Sequence, residues 1–522
     1  MYKSDYWSSR FHLYILKIES YLHPIPMKAT DLLVILFLAT ACQKPNESAT
    51  HSPMKYDEKF RPQYHFTPPS QWMNDPNGMV FYEGEYHLFY QHYPDSNVWG
   101  PMHWGHAVSE DMVNWEHLPI ALYPDTLGYI FSGSAVIDWK NTSGLGTTDN
   151  PPMVAIYTYH DPVGAEAGRN DFQTQGIAFS LDRGRSWTKY EGNPVLTNPG
   201  IIDFRDPKVS WDEANERWIM ILAVLDHVNI YTSPDLIRWE FQSEFGHTIG
   251  GHGGVWECPD LFPLMDQYGD EKWVILLSIN PGGPQGGSAT QYFVGDFDGT
   301  VFTPADSVTR WIDYGADNYA GVTWADILEI DGRRLFLGWM SNWQYANVVP
   351  TYEWRSAMTI PRELSLHKSE TGYLLQSKPV PELETLMGEA IVSHESKMDL
   401  STESYLVELT NVQGQSLDIT FSNEQGERLV VKLTADRLVI DRTKSGDTSF
   451  SEDFAAIHEA PLGGVRVSDI QIYMDRSSAE VFVNYGAIVM TDLIFPTTPY
   501  TKVSVSASEV KLSLTPMASI WK

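Results

Sequence analysis

Ala107-Val108-Ser109-Glu110-Asp111-Met112-Val113-Asn114-Trp115 reads as the end of one β-strand, a polar turn, and the start of a second strand marked by a tryptophan. Small and branched apolar residues suit a half-buried strand, and Ser and Asp side chains take up the free backbone N–H groups of a turn. The unit recurs as Ala178-Phe179-Ser180-x-Asp182-x4-Trp187 and as Ile230-Tyr231-Thr232-Ser233-x-Asp235-x3-Trp239, with the serines 71 and 53 residues apart. Repeated strand–turn–strand units argue for a propeller, with blades longer than the roughly 40 to 45 residues of WD repeats. From residue 55 to about 365, short apolar or aromatic runs alternate with Gly, Pro, Asn and Asp, and helical periods are scarce. A stretch of that length holds five blades, whereas a sandwich rarely exceeds about 250 residues as one domain.

Beyond Arg362-Glu363-Leu364 the tryptophan density falls and period-two strands appear, as in Tyr405-Leu406-Val407-Glu408-Leu409 and Arg428-Leu429-Val430-Val431-Lys432-Leu433. Alternation with one polar face predicts a β-sandwich. The expected architecture is therefore all-β: a five-bladed β-propeller over 55–365, a linker over 366–389 in the Ser-Lys-Pro-Val-Pro region around Ser377, and a C-terminal β-sandwich over 390–522.

The N-terminal 54 residues read as an address. Leu32 to Ala41 is an apolar run of ten, too short to span a bilayer, preceded by Lys28 and closed by small residues, as in a signal peptide. An h-region sits close to its initiating Met, so Met27 is the expected start and residues 1–41 are an extension plus signal peptide. Cys42 follows Ala39-Thr40-Ala41, where a lipoprotein box would place its lipidated cysteine, although Ala39 stands where such boxes usually carry Leu. Residues 42–54, polar and containing Pro and Ser, then form a tether. The expected location is the bacterial cell envelope as a lipoprotein, with periplasmic release or secretion as the alternative.

Composition is that of a folded soluble protein, with 43% hydrophobic and 20% charged residues, but 18 Trp and 27 Tyr exceed what packing calls for. Aromatic faces suit sugar rings. A net charge of −31 repels nucleic acid and anionic membranes, leaving a lipid anchor as the sole expected link to a membrane. Cys42 and Cys258 are the only cysteines, which excludes a disulfide framework and a Cys-x-x-Cys metal site. Cys258 reads as a packing residue. His92, His103, His106 and His252 have no metal-ligand spacing, so neither a metal nor a cofactor is expected.

Three short motifs carry the chemistry. Trp72-Met73-Asn74-Asp75-Pro76-Asn77-Gly78, Arg205-Asp206-Pro207 and Glu257-Cys258-Pro259-Asp260 each present one carboxylate in a polar turn. Asp75-Pro76-Asn77-Gly78 alone would be an ordinary type I turn, and Arg205-Asp206 alone a surface ion pair. Together, in one β domain, they supply what glycoside cleavage requires: a nucleophile, a proton donor and a charge for an oxocarbenium-like transition state.

With these motifs, Phe89-Tyr90-Gln91, Trp104-Gly105-His106, Phe131-Ser132-Gly133-Ser134-Ala135, Asp317-x-Tyr319-Ala320, Trp339-Met340 with Trp343, Trp354 leading to Pro361-Arg362-Glu363-Leu364, and Asp475-x-Ser477-Ser478-x-Glu480-Val481-Phe482, the chain resembles glycoside hydrolase family 32, the β-fructosidases that include levanases, inulinases and invertases. The resemblance covers nearly everything after residue 55 and implies a propeller joined to a sandwich, with retention through a covalent fructosyl-enzyme intermediate. It implies Asp75 as nucleophile, Glu257 as acid/base and Asp206 as transition-state stabiliser. Asn74, Gln91, Trp99, Phe131, Ser134 and Arg205 would complete a fructose pocket, with Trp72, Trp104 and Trp324 as stacking walls. Amides around Asp75 would favour its charge, Arg205 would keep Asp206 ionised, and the apolar neighbours Trp256 and Cys258 would favour a protonated Glu257 if they enclose it.

The resulting expectation is an exported retaining β-fructosidase releasing terminal fructose from fructan or sucrose. Endo action, a propeller glycosidase for arabinose or xylose polymers, and a non-catalytic glycan-binding lipoprotein are the competing readings. The complete carboxylate set argues against the last.

Overall fold

Five consecutive antiparallel sheets occupy Gln71–Pro379, and each begins with the strand that becomes its innermost. These first strands are Gln71–Tyr82, Tyr129–Ile137, Phe204–Asp212, Val255–Met265 and Tyr319–Thr323. Each packs against the next, and the fifth packs against the first, so they form a closed ring. The short strand Trp354–Arg355 leaves the fifth sheet's neighbourhood and pairs in parallel with Gln71 and Trp72, tying the end of the ring to its beginning. The computed structural model describes residues 56–521 apart from 371, 394, 508 and 509, so the signal segment, Cys42, the start at Met27 and the tether lie outside the described residues.

The three turns that predict the fold share one construction. The Ser109, Ser180 and Ser233 hydroxyls donate to Asp111, Asp182 and Asp235 at 3.0, 2.8 and 3.2 Å, and the indoles of Trp115, Trp187 and Trp239 each donate back to a turn carbonyl at 3.0 Å. The Asp closes the turn and the Trp covers it, which fixes the hairpin between the two outer strands of each of the first three sheets.

The expected linker over 366–389 is corrected by the sheet pairing. Arg362–Ser369 and Gly372–Pro379 form a hairpin that completes the fifth sheet, so the connection begins at Val380 and continues through the short 3-10 helix Pro381–Leu386. Falling Trp density marks outer strands that lack the covered turn, and the chain leaves the propeller later.

Two six-stranded sheets follow, packed face to face over a core that includes Val407, Ile419, Val431, Ile472 and Val481. Arg428–Leu433 alternates as predicted, exposed or half-buried at every odd step and buried at every even one, whereas Tyr405–Thr410 does not: Tyr405, Leu406 and Val407 are all buried. The propeller and sandwich are joined by buried charges. Arg362 binds Glu480 and, at 3.0 Å, Asp313, while Arg442 binds Asp317 at 2.7 Å. His65 places Nδ1 2.8 Å from Asp475 and Nε2 2.9 Å from Glu480. The Asp317, Arg362, Asp475 and Glu480 motif residues thus hold the domains together.

Candidate active site

Every inner strand carries a β-bulge near its N-terminal end. The register slips between Met73 and Pro76, between Ile130 and Gly133, opposite Asp206-Pro207, between Glu257 and Asp260, and between Tyr319 and Val322. A bulge breaks the ladder and re-aims side chains. Asp206 and Cys258 adopt the left-handed backbone region, with φ of 64° and 47°. Pro76, Pro207 and Pro259, which have no N–H to donate, are tolerated at these interruptions. The same device on three sheets brings Asp75, Asp206 and Glu257 to one mouth of the ring, where they line a cleft of about 410 Å³.

Asp75 Oδ2 accepts the Ser132 hydroxyl at 2.7 Å, and Oδ1 accepts the Asn74 amide at 3.0 Å. Asn74 is in turn fixed by the buried Trp72 indole, which donates to Asn74 Oδ1 at 2.7 Å. Asp206 accepts the Cys258 backbone N–H at 3.0 Å and donates its own N–H to Thr158 Oγ1 at 2.9 Å. The Cys258 thiol lies between the two aspartates, 3.5 Å from Asp75 Oδ2 and 3.7 Å from Asp206 Oδ2. Burial pushes that thiol well above its usual range, so it remains a neutral SH donor.

Glu257 differs from its expected surroundings. Trp256 turns away into the core between sheets and donates to Gly251 O at 2.8 Å. Glu257 instead meets Arg205, whose Nη2 and Nε donate to Oε1 at 2.8 and 3.1 Å, and the Tyr319 hydroxyl, which donates to Oε2. Arg205 also binds Asp203. Its guanidinium is held well above even its ordinary pKa by the surrounding carboxylates against the opposing effect of burial.

Burial, with charge crowding added, outweighs the two groups expected to keep Asp75 and Asp206 ionised. The Asp75 pKa is raised, chiefly by burial and then by the Glu257 charge, against the bonds from Ser132 and Asn74. Asp206 is pushed up to about 7 by burial, with Glu257 and Asp75 adding to it, although Arg205 acts in the opposite direction. Arg205 reaches only 4.0 Å from Asp206 because its donors are engaged by Asp203 and Glu257.

Asn74, Gln91, Trp99, Phe131 and Arg205 line the cleft, with Trp99 at the rim and 41% exposed. Ser134 does not line it: its hydroxyl donates to Pro207 O and accepts from Val209 N, both at 3.0 Å, fastening the second sheet to the third. Ser132 takes the position at Asp75. Trp324 is also misplaced by the sequence reading, since it follows the far end of its inner strand, is fully buried and donates to His87 O at 3.0 Å. Trp72 and Trp104 are fully buried supports rather than walls. The walls also include His160, Phe172, Ile202 and Trp343, with the Phe131 and His160 rings stacked 4.3 Å apart. Asp203, two residues before Arg205, is the most legible of the missed residues.

Converging carboxylates in a cleft flanked by aromatic rings are the equipment of a sugar-cleaving site. The chain belongs to glycoside hydrolase family 32: residues 65–379 match Glycosyl hydrolases family 32 N-terminal domain and residues 382–522 match Glycosyl hydrolases family 32 C terminal. It is 49% identical to a levanase of Bacillus subtilis (strain 168) over 493 residues, covering 89% of this chain and 72% of the levanase. It is 38% identical to an extracellular exo-inulinase of Aspergillus awamori over 519 residues, covering 89% and 96% of the two chains. The crystal structure of exo-inulinase from Aspergillus awamori superposes with a TM-score of 0.82 at 37% identity, over 89% of this chain and all of that one. The fructofuranosidase from Schwanniomyces occidentalis, complexed with fructose, gives 0.78 at 31% identity, over 90% of this chain and all of that one. The protein is a glycoside hydrolase.

Proposed function

We propose that the protein is an exported, retaining β-fructosidase that releases terminal fructose from fructans and sucrose. The observation that carries this reading is the placement of Asp75, Asp206 and Glu257 at equivalent bulges of three sheets, lining one cleft rimmed by aromatic rings. The levanase and exo-inulinase names of its relatives support fructan as the substrate class. The apolar segment 32–41 and the extracellular designation of one relative support export.

Asp75, held by Ser132 and Asn74, attacks the anomeric carbon of the terminal fructosyl unit as Glu257 delivers a proton to the leaving oxygen. The positive charge that develops on the ring is balanced by Asp206, which also accepts hydrogen bonds from fructose hydroxyls. Glu257 then takes a proton from water, and that water cleaves the ester at Asp75. Arg205 and Tyr319 hold Glu257 in position for both steps. A cleft of about 410 Å³ lies in the lower part of the roughly 300 to 1,000 Å³ range of small-ligand sites, which suits a chain end.

Incubation with inulin and levan tests the reading: fructose as the sole early product is expected, with net retention seen by NMR, and Asp75→Asn abolishes release while the protein stays folded. A ladder of oligosaccharides rejects exo action; inversion rejects the covalent route.

A further inference from the structure

At the end of the third sheet where its inner strand begins lies a group of side chains that fructoside cleavage leaves unused. The turn Leu225-Asp226 joins Arg217–Val224 to His227–Ser233. Its backbone supports the site from behind: Leu225 N donates to Asp203 O at 3.1 Å, and Leu225 O accepts the Trp256 N–H at 2.7 Å. The next residue, His227, is buried, and its ring stacks on that of His247 with centroids 4.1 Å apart. Glu244, on the neighbouring strand Glu240–Phe245, places Oε2 2.8 Å from His247 Nε2.

One ligating atom from each of His227, Glu244 and His247 lies within 4.8 Å of the other two, the only such group of three or more His, Cys, Asp or Glu among the described residues. Two imidazoles and one carboxylate form the donor set that Zn²⁺ and its first-row neighbours prefer. Ca²⁺ and Mg²⁺ select oxygen cages instead. We propose that His227, Glu244 and His247 bind one divalent transition-metal ion of the Zn²⁺ class, leaving a fourth position to water. The Asp226 carboxylate, 3.0 Å from His252 Nδ1, adds negative charge to the same end of the sheet. An ion here ties the edge strand and its turn to the hairpin that backs Asp203 and Trp256, and it takes no part in the reaction.

The test is calorimetric titration of the full chain, without a polyhistidine tag and after chelation, with ZnCl₂. We expect one saturable site per chain and a rise in unfolding temperature on loading. His247→Ala and Glu244→Gln, both at exposed positions, should each weaken binding at least tenfold and remove the thermal shift; their circular dichroism and fructose release should match the parent's without metal. His252→Ala should leave the affinity within twofold. Absence of saturable binding by the parent chain overturns the proposal, as does unchanged affinity in folded His247→Ala, or a loss confined to His252→Ala.

Discussion

Arg205 donates to a single oxygen of Glu257 from both Nε and Nη2, at 3.1 and 2.8 Å. Both bonds end on Oε1, and the Tyr319 hydroxyl takes Oε2, so the carboxyl plane is fixed from two sides by different sheets. A lysine would keep the charge but lose the paired geometry. Hydrogen bonds to a charged group contribute about 1.5 to 3 kcal/mol, so Arg205→Lys should lower kcat/KM on sucrose by roughly 10- to 100-fold. A variant within twofold of the parent would remove Arg205 from the positioning of Glu257.

Ser132 is the strongest local force keeping Asp75 charged, because its 2.7 Å bond opposes the burial and the Glu257 charge that raise the Asp75 pKa. As the proposed nucleophile, Asp75 must be ionised, so activity is expected to fall as pH drops through that pKa. Ser132→Ala should therefore move the acid limb of the kcat/KM profile upward by about one pH unit, given about 1.5 kcal/mol for the lost bond and 1.36 kcal/mol per pKa unit. An acid limb that stays in place would show that Ser132 does not act through Asp75.

The outlines of this site are written in local sequence, and its finer assignments are not. Asp-Pro and Cys-Pro steps mark three bulges, since Pro inside a strand is tolerated where the ladder is broken. Ser132 and Ser134, two residues apart, look interchangeable in the sequence. The slip between Ile130 and Gly133 separates them, sending Ser132 to Asp75 of the first sheet and Ser134 to Pro207 of the third. Trp324 is misplaced by sequence because motif proximity conceals strand direction: the carboxylates sit where inner strands begin, and Trp324 follows where one ends. The raised Asp75 pKa is illegible for another reason. Its sequence neighbours are amides, but the charge that opposes it arrives from Glu257, on a different sheet.

Asp206 offers a stability test with a definite sign. Its pKa of about 7 in the folded protein stands above the ordinary 3.8, so between those values the folded state binds more protons than the unfolded chain. Stability contributed by this group is then lost as pH rises through the window. Asp206→Asn keeps an oxygen to accept the Cys258 N–H and removes the buried charge. Relative to the parent, the variant should gain stability from pH 4 to pH 8, by at most about 4 kcal/mol at 1.36 kcal/mol per pKa unit, while losing fructose release. Urea unfolding at both pH values measures this, and an equal difference at pH 4 and pH 8 would contradict the raised pKa.

His65 runs the opposite way and reports on the junction of the two domains. Asp475 and Glu480 hold its pKa up at about 9, against the burial that would lower it from 6.5. The imidazolium therefore contributes its full stabilisation below pH 6.5, and that contribution disappears as pH rises through 9. His65→Gln can reach one of the two carboxylates but carries no charge, which removes the cation facing buried Asp475, while Glu480 keeps Arg362. The variant should be less stable than the parent by about 3 kcal/mol at pH 6, with the gap narrowing as pH approaches 10. Because the cleft carboxylates lie on other strands, kcat at 25 °C should remain within about threefold wherever the variant is folded. A stability gap independent of pH would mean that His65 holds the junction as a neutral ring.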